Sequence, residues 1–231
     1  MDRIVLPLIR LKADKIWLIT EKNPEVDSAK PYLDKVKDEL DKHKIQYVVE
    51  KCGIRDMFDI LKTYRRIIEE EHKHQIFINV STGTKIEAIA GMMACMMFKK
   101  DQRHISPYYV EPEDYNVKPT QGQPLSVGCK EIFPLPDYKI EKPDERLIHT
   151  LVIISEKGKI SKKELIQDCI NENLISVKSD ARNPEVAKYS ALNKNLINPL
   201  LSWRFIEVMG VGRRSRIKIT EEGQNVLKFL A

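Results

Sequence analysis

Seven consecutive residues, Asn79-Val80-Ser81-Thr82-Gly83-Thr84-Lys85, concentrate hydroxyls, an amide and a cation around one glycine. An apolar run, Ile76-Phe77-Ile78, leads into them, and a long apolar segment, Ile86 to Phe98, leads out. Strand, tight turn and helix start is the local geometry that holds phosphate in α/β domains. Unpaired N–H groups at a helix N-terminus gather there, beyond the carboxyl end of a strand. Ser81, Thr82 and Thr84 add hydroxyl donors for phosphate or ribose, and Lys85 adds a positive charge. The same residues admit a plainer role. Thr84 and Glu87 spell T-x-x-E, a helix capping box, and Gly83 can serve the turn alone. The turn is not a Walker A loop, because Thr84 separates Gly83 from Lys85 and position 78 holds isoleucine where that motif needs glycine. Phosphate site and simple cap both remain open on these residues.

A second cluster lies near the C-terminus, where Arg213, Arg214 and Arg216 put three cations into four residues. Upstream, Lys188, Ser190, Asn193, Lys194 and Asn195 are the polar residues of an otherwise apolar helical pattern. Asparagine can pair with adenine edges, and lysine or arginine with phosphates or guanine. From Asp144 onward there are 15 Lys and Arg against 11 Asp and Glu, whereas the first 143 residues hold 24 against 23. The positive excess of this 231-residue chain therefore belongs to its C-terminal third, which points that part toward a polyanion.

The elements that must carry these clusters follow from hydrophobic period and breakers. Met1 to Lys12 reads as a helix with Ile4, Val5, Leu8, Ile9 and Leu11 on one face. Lys15 to Thr20 reads as a buried strand that exits through Glu21-Lys22-Asn23-Pro24. Ser28 is expected to cap a helix with Pro31 in its first turn. Ile45 to Val49 forms the next strand, followed by a helix with Met57, Ile60, Leu61, Tyr64, Ile67 and Ile68 inward. Ile105 to Val110 is a further strand. This alternation predicts a mostly parallel sheet covered on both sides. The Met-rich segment after Lys85 is apolar almost all round, which fits burial between the sheet and its neighbours.

Prolines at 112, 119, 124, 134 and 136 change the texture, and a boundary falls near residue 140. Beyond it come a helix over 144–155, a short extended piece at 158–160, and a helix capped by Ser161 with Glu164. A long helix from Pro184 to Leu201, a hairpin with the Arg213–Arg216 tip, and a final helix over 221–230 complete the order. That is the order of a winged helix-turn-helix, with the long helix for the major groove and the hairpin for the backbone.

Composition excludes several classes. At 42% apolar and 32% charged residues, with no apolar run near a span's length, the chain is expected to be a cytoplasmic protein. Cys52, Cys95, Cys129 and Cys169 show no C-x-x-C pair and no histidine at ligand spacing. They read as reduced core thiols, without a metal or cofactor.

The Ile76–Lys85 stretch, together with Ala13-Asp14-Lys15-Ile16-Trp17-Leu18-Ile19-Thr20 and the winged helix behind them, resembles the CARF-domain regulators. CARF stands for CRISPR-associated Rossmann fold, and the similar group is archaeal and antiviral. The resemblance implies an α/β chain. A Rossmann-like sensor domain with a mostly parallel sheet would span 1–140, and a winged helix-turn-helix domain 141–231. It implies a homodimer whose two sensor domains share one pocket for cyclic oligoadenylate, most often the tetra-adenylate, and a DNA-binding output in transcription regulation. Asn79, Ser81, Thr82, Gly83, Thr84 and Lys85 would hold ligand phosphate and ribose, with Thr20 and Glu21 lining the same pocket. Lys188, Ser190, Asn193, Lys194, Asn195, Arg213, Arg214 and Arg216 would meet double-stranded DNA. The alternative is a ring nuclease that cleaves the bound ligand, using Lys85, Ser81 and Thr82 but no histidine in the turn. The sequence departs from the family at its start. The family opens with an apolar strand, whereas this chain opens at the helix with Met1-Asp2-Arg3-Ile4, so either the start is placed too far downstream, or the chain is truncated, or the sheet is expected to lack its first strand.

Overall fold

The computed structural model describes residues 1–27, 29–99, 105–116, 124–176, 183–210 and 215–231. They form two compact units, residues 1–141 and 142–231.

In the first unit, helices α1 (Asp2–Leu11), α2 (Lys30–Lys42), α3 (Met57–Glu70) and α4 (Lys85–Phe98) alternate with strands β1 (Lys15–Glu21), β2 (Gln46–Cys52), β3 (Ile76–Asn79) and β4 (Ile105–Glu111). Short strands β5 (Asp114–Tyr115), β6 (Ser126–Val127) and β7 (Glu131–Pro134) follow. The α/β alternation is as the periodicity requires, but β2 begins one residue later and runs three further than expected. It stays in parallel register with β1 from Lys15↔Gln46 to Glu21↔Cys52. The cap expected of Ser28 lies outside the described residues. Ala29 occupies the N-cap of α2 without a side-chain bond.

The sheet is divided. β1 pairs with β2 alone, and β3 pairs in parallel with β4, which pairs antiparallel with β7. No described strand joins β1 to β3. Helix α1 spans the two parts. Val5 and Leu8 pack with Leu18, Val36, Leu40 and Ile45, while Leu6 packs on Tyr108, Val110 and Cys129. Helix α4 buries a face of small residues, Ala90, Gly91, Ala94 and Cys95. A β-carbon added at Gly91 would meet Ile78 Cγ2 and Val80 Cγ1 at 3.1 Å, so glycine lets α4 lie close on β3. The burial expected of α4 therefore holds for one face only, since Ile89 is 53% exposed.

The second unit runs α5 (Glu145–Lys157), β8 (Lys159–Ser161), α6 (Lys162–Asn171), α7 (Pro184–Leu192), a π-helical turn (Asn193–Ile197), α8 (Asn198–Ser202), β9 (Ile206–Met209), β10 (Arg216–Ile219) and α9 (Glu221–Leu230). The three strands form one antiparallel sheet in the order β8-β10-β9. Leu151, Ile154, Leu165, Cys169, Leu192, Leu196, Leu200 and Ile217 form its fully buried centre. Each such side chain contributes about 1.5–3 kcal/mol. This is a winged helix.

All four cysteines are free and buried, and burial pushes the Cys95 and Cys169 thiols up to about 12 and about 11. Thiols so protonated are poor nucleophiles. Among the described residues no group of His, Cys, Asp or Glu could hold a metal ion, and no helix is long and apolar enough to cross a membrane.

Candidate functional site

Asn79 organises the turn that follows β3. Pro7 lacks an N–H, so the Arg3 carbonyl, four residues earlier in α1, has no donor within its own helix. Asn79 Nδ2 supplies that donor at 2.8 Å. On its other side, Asn79 Oδ1 accepts the backbone N–H of Ser81 at 3.0 Å and the Ser81 hydroxyl as well. Tyr108, opposite Asn79 in the β3–β4 ladder, has its phenol pushed up to about 12 by burial, partly offset by a hydrogen bond with Asn79. Arg3 is fixed in turn. Its Nε donates to the Val110 carbonyl at 3.1 Å and its guanidinium lies 5.4 Å from the Tyr109 ring centroid. The start of α1 is thus fastened to the carboxyl ends of β3 and β4. The sequence reading missed Arg3. Its signal was Pro7, which marks a carbonyl that something outside the helix must satisfy.

Downstream, the cap is real. Thr84 Oγ1 accepts the Glu87 N–H at 3.2 Å and Glu87 Oε2 accepts the Thr84 N–H at 2.6 Å. Gly83 turns with φ +80°, and a β-carbon there would lie 2.6 Å from Glu87 Oε2. Thr84 and Glu87 are therefore committed to the helix start. What remains open is specific. The Thr82 hydroxyl and the exposed Lys85 ammonium make no hydrogen bond or ion pair among the described residues, and the N–H groups of Lys85 and Ile86 lie in the first turn, where no intrahelical acceptor exists. Two backbone donors, one hydroxyl and one cation make a binding geometry for an anion. It contains no unengaged base.

Thr20 and Glu21 are buried at the end of β1 but work locally. Thr20 Oγ1 donates to the Glu50 carbonyl at 3.4 Å, and Glu21 Oε1 accepts the Asn23 N–H at 3.0 Å. Neither bonds to the Asn79–Lys85 turn. The structure brings together the residues from 79 to 85 and leaves these two on the other ladder.

On the winged unit, Asn183 caps α7, and the described helix departs from the regular one expected between 184 and 201. Pro199 cannot donate to the carbonyl four residues back, and its ring crowds that carbonyl. The chain widens into the π-turn, where the Asn198 N–H bonds to the Asn193 carbonyl five residues back. Of the expected DNA-facing residues that are described, three have side-chain partners. Lys188 Nζ bonds Glu185 Oε1 at 3.1 Å, and Asn193 Oδ1 accepts from Lys162 Nζ at 2.8 Å, which ties α7 to the start of α6. Ser190, Lys194 and Asn195 are exposed. Arg216 is exposed on β10, 3.9 Å from Glu164 Oε2, while Arg213 and Arg214 lie outside the described residues. Lys159 on β8 and Lys163 in the first turn of α6 add exposed cations.

Residues 1–115 match the family model described as HFX_2341_N-like, N-terminal, and residues 146–231 match that of the DUF6293 C-terminal winged helix domain. A curated relative, uncharacterized protein MJ1513 of Methanocaldococcus jannaschii, is 26% identical over 208 residues, covering 75% of this chain and 61% of the relative. The chain thus spans about three fifths of the length of the relative it matches. Among solved structures, Can2 of Sulfobacillus thermosulfidooxidans in complex with cyclic tetra-adenylate is similar at a TM-score of 0.39 and 13% identity. That alignment covers 97% of this chain and 59% of that one.

Proposed function

We propose that this chain is a ligand-responsive DNA-binding regulator, with a sensor turn at Asn79–Lys85 and a winged helix as its output. One observation carries the reading. Helix α4 begins at the sensor turn, and its far end is bonded to the segment that leads into the second unit. The Ile140 N–H bonds the Met96 carbonyl at 3.1 Å, and Lys99 Nζ pairs with Asp137 Oδ2 at 2.5 Å. A ligand that alters the start of α4 therefore acts on the element that holds the connecting segment.

The donors of the turn suit a phosphodiester, and the resemblance to the CARF turn supports a cyclic oligoadenylate. Two copies meeting on a two-fold axis would give one cyclic ligand two equivalent turns, and the exposed Ile86 and Ile89 offer α4 an apolar face for that contact. Duplex DNA suits the basic excess of the winged unit. Regulation then requires that the ligand bind two arrangements with different affinity.

Calorimetry with a panel of cyclic oligoadenylates, the tetra-adenylate included, tests the sensor. Lys85→Ala is expected to weaken binding about tenfold or more, the loss of one charge-assisted hydrogen bond. No heat from any ring size would refute the ligand class, and linear products from labelled ligand would convert the reading to a ring nuclease. The coupling has its own test. Lys99→Ala combined with Asp137→Ala is expected to leave ligand and DNA affinities near wild type while shrinking the ligand's effect on DNA affinity. A full ligand response in that variant, followed by gel shift, would remove α4 from the pathway.

A further inference from the structure

We propose that Val186 is a specificity-determining residue that reads the 5-methyl group of thymine in the major groove. This rests on the reading that the winged unit binds duplex DNA. Val186 is 62% exposed in the first turn of α7, where Asn183 Oδ1 accepts its N–H at 3.3 Å. A solvent-facing position in a first turn ordinarily takes a polar residue or a strong helix former, and a β-branched apolar one is unfavourable on both counts. Its row is defined by helical spacing. Ser190 lies one turn on and Lys194 two turns on, both exposed, while Leu192 and Leu196 face the core. The outward row therefore presents an apolar tip, a hydroxyl and an ammonium in that order.

The surroundings identify the occupant. The unit carries the basic excess of the chain, and Lys159 and Lys163 flank the start of α6. The Lys162–Asn193 bond holds α6 against α7, so the pair stands as a helix-turn-helix. In that motif the N-terminal residues of the second helix reach base edges. A protein partner with an apolar pocket would suit Val186 but leave the lysines unanswered, whereas a duplex answers both. The neighbouring Glu185 is paired with Lys188, which reduces its repulsion toward phosphate. In the major groove the apolar feature is the thymine methyl, and small aliphatic side chains contact it.

The full chain is used to select binding sequences from a randomised duplex pool, and each thymine of the selected site is then replaced in turn by deoxyuridine. Removal of one methyl at a single position per half-site is expected to weaken wild-type binding about fourfold, the value of one buried methyl-sized group. Val186→Ala is expected to bind thymine and uracil duplexes equally at that position, with an unchanged thermal melt because the residue is exposed. Wild-type binding indifferent to every replacement would overturn the proposal, as would Val186→Ala that keeps the fourfold preference. Absence of duplex binding by the wild type would overturn the regulator reading and this inference with it, so the two failures are distinguishable.

Discussion

Gly223→Ala is expected to destabilise the winged unit by about 2 kcal/mol, although alanine is the better helix former. Gly223 sits in the first turn of α9, its N–H bonded to Thr220 Oγ1 at 3.1 Å. On helix propensity alone the substitution would stabilise by roughly 1 kcal/mol. The added β-carbon, however, would lie 2.3 Å from the Phe205 carbonyl oxygen and 2.8 Å from Ile219 Cγ1. The first is backbone and cannot swing aside. That oxygen also accepts the Thr220 N–H at 2.9 Å, so moving it strains the approach of α9 to the sheet. Overpacking of this kind costs typically 1–3 kcal/mol and occasionally more, which outweighs the propensity gain. Urea denaturation of the full chain in a Trp17→Phe background, which leaves Trp203 as the one tryptophan and its fluorescence as the reporter, reads the result. A midpoint equal to or above wild type would show that α9 has room that the geometry denies.

Asn79→Ala carries the largest expected effect in the first unit. It strands the partly buried Arg3 carbonyl, which Pro7 has already deprived of a helical donor; an unsatisfied group costs about 1–3 kcal/mol when fully buried, so the lower end of that range, about 1 kcal/mol, is expected. It also frees Ser81, so ligand affinity should fall together with stability. Pro7→Ala offers a specific rescue, because alanine at that position returns an N–H to the Arg3 carbonyl. In a double-mutant cycle, the loss from Asn79→Ala should be smaller in the Pro7→Ala background by about 1 kcal/mol. Strict additivity would mean that Asn79 does not serve the carbonyl in solution.

The legible parts of this protein were those whose partners lie within a few residues. Thr84 with Glu87 and Ser161 with Glu164 are both capping boxes in the structure, as their spacing requires. The alternation of helices and strands, the small-residue turn after β3 and the winged order of the second unit follow in the same way from period and breakers. Such signals are local because the hydrogen bond that uses them closes within one turn of chain. Sequence also carries the uneven charge that makes the second unit the basic one.

What only the tertiary structure decided is long-range. Asn79 and Arg3 are 76 positions apart, Lys99 and Asp137 38, and Lys162 and Asn193 31, and no spacing rule connects them. These partners are selected when packing removes water from a polar group that must then find a donor or acceptor. The same logic joined Asn193 to Lys162 across the winged unit and left Val186 exposed in the first turn of α7. It also left Thr20 and Glu21 on a ladder of their own, because a strand's partners depend on the whole sheet and not on its residues. Sequence determined which turn could hold a phosphate. Tertiary structure decided what fastens that turn, through Asn79, to the start of α1.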